Sequence, residues 1–169
     1  MSENPYKSKP WLKSYDPGIT QEIEPTEKTV CHFLDNTLKK YKKRTAIYFL
    51  ERKISYKEVK NIVDRLATAL SNLGVKKGDV VAILIPNFPQ YIFSYFATLR
   101  IGAVVTACSA LYTKHELEFQ INDCGAEVLI ASDKYLDKIN AIRDRTRLRH
   151  VIITNVMDFF FFYHKEPPE

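Results

Sequence analysis

The chain has 169 residues, of which 46% are hydrophobic and 27% are charged. This length and composition fit one ordinary domain with a real core and exclude a disordered chain. The formal net charge of +5 permits binding to anionic partners but does not require it. The opening residues, MSENPYKSKPWLK, contain no apolar signal stretch, and we expect a cytoplasmic protein.

Residues 1–28 are predicted to form an extended N-terminal arm. Proline is unfavourable inside helices and central strands, and this segment carries Pro5, Pro10, Pro17 and Pro25 among polar residues. Trp11, Leu12 and Tyr15 are the apolar side chains by which such an arm would dock on a domain.

A helix and a hairpin are predicted to follow the arm. Apolar residues recur at helical spacing between Thr29 and Lys43, at Val30, Phe33, Leu34 and Leu38. The next stretch, TAIYFLERKISYKE, contains two strand-like runs around three polar residues. We predict a β-hairpin with its turn at Glu51, Arg52 and Lys53.

Two further helices are predicted to begin with capping boxes. In this motif a Ser or Thr and a Glu three residues later satisfy free backbone N–H groups, and a glycine often ends such a helix. The boxes and their glycine stops are Ser55 and Glu58 with Gly74, and Thr113 and Glu116 with Gly125.

The most apolar stretch, from Ile85 to Val105, is the natural candidate for a membrane span, which needs about 20 apolar residues with few charges. Prolines and polar residues interrupt this stretch at the front, and Arg100 interrupts it at the back. We therefore predict a helix of a soluble domain, with Asn87 as N-cap, Pro89 in the first turn and Gly102 after the last turn.

Apolar runs typical of buried strands start near residues 79, 103, 127 and 150, about 24 residues apart. Helical segments lie between these runs, and Asp133 is predicted to cap the last of them. The alternation predicts an α/β fold over residues 29–155, with a doubly wound, mostly parallel sheet and flanking helices.

No residue is predicted to be catalytic, to bind a cofactor or to bind a metal. The five glycines do not form a phosphate-binding spacing, and the three cysteines are too scattered for a disulfide framework or a zinc site. We expect the cysteines to be buried apolar groups. Cys31 and His32 are neighbours on a helix and would point apart. Structural or solvated roles are expected for His32, His115, His150 and His164.

Two basic runs, Lys39–Arg44 and Arg143–His150, follow or end predicted helices, where cations interact favourably with the helix dipole. Such runs can also contact phosphate backbones, so a non-catalytic RNA-binding module remains an alternative. Neither run is interleaved with aromatic residues in the manner of a stacking surface. We favour solvated helix ends and expect no nucleic-acid partner.

Residues 156–169 form an apolar tail, which contains four phenylalanines and a tyrosine in a row. So much exposed apolar surface is unfavourable in water. We expect the tail to pack into a groove or to meet further protein, and to promote aggregation if left free.

These residues together resemble the N-terminal portion of the AMP-forming acyl-CoA synthetases, and among them the long-chain fatty acid CoA ligases. The similarity runs from PWLKSYDPGITQEI through GVKKGDVVAILIPNFPQY, LRIGAVV and LYTKHELEFQINDCGAEVLI to HVIIT and Asp158. It covers essentially the whole chain. One local departure is Ser109-Ala110, where the family usually has an Asn-Pro pair.

The resemblance implies a two-step ligase that uses ATP, Mg²⁺ and CoA. A fatty carboxylate attacks the α-phosphate of ATP to give acyl-AMP and pyrophosphate, and the CoA thiol then displaces AMP. The family's phosphate loop, its acidic ATP and Mg²⁺ motif, its ribose-binding aspartate and its C-terminal lysine all come after the region matched here. We therefore expect a fold that is incomplete at its C-terminal end, with an unpaired sheet edge, and no adenylation by this chain alone.

The expected partner is accordingly the missing C-terminal part of the ligase, or a complementary chain in a split enzyme. Self-association and a domain that binds a fatty chain without reacting are further alternatives. Membrane contact is expected to be peripheral at most, because no strongly basic amphipathic helix is present. Acyl chain length, oligomeric state and the origin of the short length stay open.

Overall fold

The computed structural model describes residues 4–158, which form a parallel sheet between two layers of helices. The helices are α1 (Pro5–Ser8), α2 (Val30–Tyr41), α3 (Tyr56–Asn72), α4 (Pro89–Arg100), α5 (Lys114–Cys124) and α6 (Leu136–Asn140). The strands are β1 (Thr45–Phe49), β2 (Arg52–Ser55), β3 (Val80–Leu84), β4 (Val104–Ala107), β5 (Val128–Ser132) and β6 (His150–Thr154).

The main sheet has the strand order β4-β3-β5-β6, and each neighbouring pair is parallel. Strands β1 and β2 form a separate antiparallel hairpin. Within residues 4–158, β4 and β6 are the two edges of the main sheet. The predicted doubly wound α/β fold is confirmed.

Successive side chains of the central strands point to opposite faces of the sheet, as strand geometry requires. Val81 and Ile83 pack in the cluster formed with α3 and α4, whereas Ala82 and Leu84 pack in the cluster formed with α5 and α6. All four side chains are fully buried. Burial on both faces explains why these strands read as continuous apolar runs in the sequence.

Both predicted capping boxes are present. Ser55 Oγ accepts a hydrogen bond from the Glu58 amide at 3.3 Å, and the Ser55 amide donates to Glu58 Oε2 at 2.7 Å. Thr113 and Glu116 repeat this arrangement with the same two distances at the start of α5. Helix α5 ends at Gly125, which has a φ of 66° in the left-handed region.

The predicted N-cap of α4 was wrong by one residue. Helix α4 begins at Pro89, and its N-cap is Phe88, with φ −104° and ψ 155°, rather than Asn87. The physical reason is Pro89 itself, because a proline ring excludes the helical conformation from the residue before it. Phe88 therefore takes the extended conformation of an N-cap without a capping side chain.

Two other local predictions need correction. Ser132, and not Asp133, caps the turn after β5. The Ser132 side chain accepts a hydrogen bond from the Lys134 amide, and Asp133 is the first residue of a short 3-10 turn that precedes α6.

The hairpin turn between β1 and β2 lies at Leu50 and Glu51, because Arg52 already pairs with Phe49 in the antiparallel ladder. Leu50 adopts a φ of 51°, and its apolar side chain gave no sign of a turn.

The N-terminal arm contains two short helical segments, α1 and a 3-10 turn at Pro10–Ser14, where an extended chain was expected. Trp11 and Tyr15 are each 43% exposed, and Trp11 contacts the ring of Tyr6 within the arm. Neither aromatic residue is therefore a buried anchor in this structure. No helix among residues 4–158 is long and apolar enough to cross a membrane.

Candidate functional site at the carboxyl edge of the sheet

In open α/β sheets, ligands bind outside the carboxyl ends of the strands, where the strand order reverses. Here the chain passes from β3 to β4 on one side and returns to β5 on the other side of β3. The carboxyl ends of β3 and β5 therefore define the candidate site. Residues that follow β5 and β6 place polar groups beside it.

Asp133 is the acidic group at this edge, and its carboxylate is already engaged. Ser132 Oγ donates to Asp133 Oδ1 at 3.0 Å, and the Lys134 amide donates to the same oxygen at 2.9 Å. The side-chain amide of Asn155 donates to the other oxygen. These contacts bind the end of β5 to the end of β6.

Asn155 starts a tight turn that directs the chain away from β6. Its backbone amide donates to Asp158 Oδ2 at 2.7 Å, and its side-chain oxygen accepts from the Met157 amide at 2.7 Å. Its carbonyl oxygen accepts from Gln90 Nε2 of α4 at 2.9 Å. The turn at residues 155–158 is thus fixed to both the sheet and α4.

A groove of about 560 Å³ opens beside this turn, between α3, α4 and β6. Its floor is formed by Ile130 of β5 and Ile152 of β6, and Phe93 of α4 forms one side. The groove exists because α3 and α4 cover the middle of the sheet, while Ile152 of β6 is only partly buried. The other described lining residues are two apolar ones, Ile62 and Leu66, and five polar or charged ones, Arg65, Gln90, Ser94, Thr154 and Asp158.

Gln90 carries an incompletely satisfied polar group at this groove. Gln90 is only 9% exposed, and its side-chain oxygen Oε1 has no hydrogen-bond partner within residues 4–158. A buried acceptor without a donor costs roughly 1–3 kcal/mol. Oε1 is therefore a buried, unsatisfied acceptor beside the groove.

The described residues at this edge do not fit ATP, Mg²⁺ or CoA. The loops after β3 and β5 have no glycine-rich turn for phosphate, and the Asp133 oxygens already accept three hydrogen bonds. No group of three metal-ligating side chains occurs between residues 4 and 158. The arrangement fixes the ends of two strands, and we assign it no step of a reaction.

The structure does not bring the histidines of the sequence together. The ring of His32 lies 2.9 Å from the side-chain amide of Asn36, one helical turn along α2, while His115 is exposed in the first turn of α5. His150 begins β6. His164 lies outside the described residues.

The cysteines are free thiols in three different environments. Cys108 is buried at the end of β4, and burial raises the pKa of its thiol to about 12, with a smaller contribution from Cys124. The half-buried thiol of Cys31 also has a raised pKa, because burial outweighs the nearby positive charge of Arg100. Neither group is an activated nucleophile, since the thiolate is the reactive form.

The second basic run is partly neutralised by acidic neighbours. Arg145 Nη2 lies 3.0 Å from Glu118 Oε2, and Arg149 forms an ion pair with Glu127. Arg143–Arg145 forms a separate 3-10 turn, so the run does not end α6 as predicted. In the first run, Lys39 and Lys40 do lie in the last turn of α2.

A charged cluster that the sequence did not reveal joins the three helices α2, α3 and α4. Arg100 at the end of α4 contacts Asp35 of α2 at 2.7 Å, and its Nε lies 3.2 Å from Asp64 of α3. The hydrogen bond from Arg100 lowers the pKa of the Asp35 carboxyl. No local spacing could predict this cluster, because its members meet only after the helices pack.

Comparison with known proteins shows the family. The sequence model of the family described as AMP-binding enzyme matches residues 34–168. A long-chain fatty acid CoA ligase of Bacillus subtilis is 33% identical over 154 residues, which cover 91% of this chain and 28% of that protein. The chain belongs to the AMP-binding enzyme family, and its resemblance to the long-chain fatty acid CoA ligases is confirmed.

Solved structures give the same result for the fold. An anthranilate CoA ligase in complex with anthranoyl-AMP matches with a TM-score of 0.74 and 26% identity, over 80% of this chain and 27% of that one. A long-chain fatty acid CoA ligase from Archaeoglobus fulgidus matches with a TM-score of 0.72 over 79% of this chain and 28% of that one; at 21% identity it supports the fold alone. The chain thus spans just over a quarter of the length of these relatives.

Proposed function

We propose that this chain is the N-terminal part of a fatty acid CoA ligase and that it contributes scaffold rather than reacting groups. The observation that carries the proposal is the family match over residues 34–168. It is supported by the carboxyl edge of the main sheet, where the Asp133 carboxylate is already occupied by structural hydrogen bonds. The complete reaction would convert a fatty acid, ATP and CoA into acyl-CoA, AMP and pyrophosphate through acyl-AMP. The nucleotide-binding elements would come from polypeptide outside these 169 residues.

The edge strand β6 is where further polypeptide would join. Parallel sheets are normally covered on both faces and extend through neighbouring strands. Ile153 of β6 is 37% exposed, and the adjoining groove leaves Ile152 partly uncovered. A strand added beside β6 would pair with its free edge, cover Ile153 and place its own loop at the carboxyl edge of the sheet.

This proposal is tested by reading the coding DNA beyond the codon for Glu169 in three frames. A glycine-rich Ser/Thr loop ending in lysine, within about a hundred codons, would support one interrupted or longer ligase. If the DNA lacks that loop, purification of the native protein tests the split form: a stoichiometric second chain carrying the loop supports it. The absence of both would contradict a ligase function and leave a repurposed scaffold.

The paired arginines speak against a nucleic-acid-binding module. Arg145 and Arg149 have carboxylate partners at Glu118 and Glu127, so they add little net positive charge to that surface. We propose that nucleic acid is not a partner and that membrane contact is peripheral at most. A cytoplasmic location agrees with the three free thiols.

A further inference from the structure

We infer that the segment Phe159–Tyr163 of this chain docks in the groove between α3, α4 and β6. The occupant is thus intramolecular, and the described lining of the site consists of five apolar and five polar or charged residues. This inference does not depend on the proposed ligase function, because it concerns only how the chain continues after β6.

The first argument is continuity. Asp158, the last described residue, itself lines the groove. The turn that brings Asp158 there is held by Gln90 of α4, by the side chain of Asn155 and by the carboxylate of Asp158. At roughly 3.3 Å per residue, five extended residues reach about 17 Å from Asp158, which is ample for a cleft that starts at residue 158.

The second argument is chemical complementarity. The segment consists of four phenylalanines and one tyrosine, and it is followed by His164, Lys165 and Glu166. Ile62, Leu66 and Ile152 at the groove are each only partly buried. Aromatic rings laid on these side chains would remove apolar surface from water on both partners. The change to charged residues after Tyr163 marks where the docked segment would return to solvent.

Hydrogen exchange on the whole chain tests the inference. The amides of residues 159–163 are expected to exchange at least about tenfold more slowly than those of a free peptide of the same sequence, because docking excludes water. Leu66→Glu, which places a charge in the groove, should return this exchange to the free-peptide rate. Leu73→Glu is the matched control, since Leu73 follows α3 and is 41% exposed outside the groove; it should leave the protection unchanged.

Two checks keep the outcome unambiguous. Protection of the amides in β3 and β5 reports whether each variant is folded. If Leu66→Glu unfolds the protein, Ile152→Ala, which introduces no charge, is used in its place. Exchange of residues 159–163 at the free-peptide rate in the folded parent chain would overturn the inference. Protection that disappears on dilution would overturn it as well, because it would assign the groove to a second copy of the chain.

Discussion

Asp35 and Arg100 are 65 residues apart in the sequence, yet Arg100 Nη2 donates to Asp35 Oδ1 at 2.7 Å. Asp64 approaches the same guanidinium from α3, so one cation holds three helices together. The Arg100 side chain is only 23% exposed, so solvent screens this contact less than it screens a surface ion pair.

Replacing Arg100 should therefore destabilise the fold more than replacing an exposed arginine. We expect Arg100→Met to lower the free energy of unfolding by about 1–3 kcal/mol, because it removes the ion-pair partner of the partly buried Asp35 carboxylate and leaves Asp64 with Lys60 alone. Arg147→Met, at an exposed position, should change it by less than about 0.5 kcal/mol. Urea unfolding measures both, and equal effects would contradict a structural role for the cluster.

The stabilisation by Arg100 should also depend on pH. The pKa of Asp35 is lowered in the folded protein by its hydrogen bond to Arg100. A lowered folded-state pKa stabilises the fold above the unfolded pKa, and this contribution is lost as the pH falls through the folded pKa. The stability difference between the parent and Arg100→Met should thus shrink as the pH is lowered from about 6 to about 3. A difference that stays constant over this range would exclude the Asp35 contact as its source.

The capping box of α3 provides a local prediction. Ser55→Ala should cost about 1 kcal/mol, because it removes the acceptor for the Glu58 amide. Thr68→Ala is the control in the same helix, since its hydroxyl only donates back to the Asp64 carbonyl at an exposed position. That change should be neutral or slightly stabilising, as alanine is the better helix former. Thermal unfolding of the two variants distinguishes them, and a larger loss for Thr68→Ala would refute the assignment.

Gly102 should tolerate alanine less well than Gly74. Both have φ near 80° to 90°, so a side chain at either position is strained by roughly 1–2 kcal/mol. A Cβ at Gly102 would also lie 3.0 Å from Lys77 Cγ, whereas one at Gly74 meets nothing within 4 Å. Gly102→Ala should therefore show the lower urea midpoint, and the opposite order would show that the Lys77 stem moves aside without cost.

The thiols should differ in reactivity in the native state. Cys108 is 7% exposed, and the pKa of its thiol is raised to about 12, so it should resist iodoacetamide at pH 8 until the protein unfolds. Cys31 and Cys124 are only partly buried and should be alkylated first. Peptide mass spectrometry over a time course measures the order. Rapid native labelling of Cys108 would mean that the end of β4 opens readily.

Local chemistry predicted most of the fold. The capping boxes at Ser55 and Thr113 and the apolar run of β3 each depend on residues close in sequence, and the structure confirms them. Errors arose where neighbouring residues competed for one position. Pro89 moved the N-cap from Asn87 to Phe88, and Ser132 replaced Asp133 as the cap after β5.

The candidate site was less predictable because it is made by long-range contacts. Gln90 meets Asn155 across 65 residues, and the groove depends on how far α3 and α4 extend over β6. No periodicity in the sequence encodes either relationship. The apolar run after Asp158 predicts that the tail packs into a groove or meets further protein, and this run lies outside the described residues.

Fatty-acid-dependent exchange of pyrophosphate into ATP, measured with oleate as the acid, tests most directly whether this chain is a ligase scaffold without adenylation machinery. The 169-residue chain alone should show no exchange above background. A chimera in which this chain replaces the matching region of the Bacillus subtilis ligase should restore exchange, because the recipient supplies the nucleotide-binding elements. Oleate-dependent exchange by the chain alone would contradict the claim that it lacks adenylation machinery. A folded chimera without exchange would contradict the claim that it serves as a ligase scaffold.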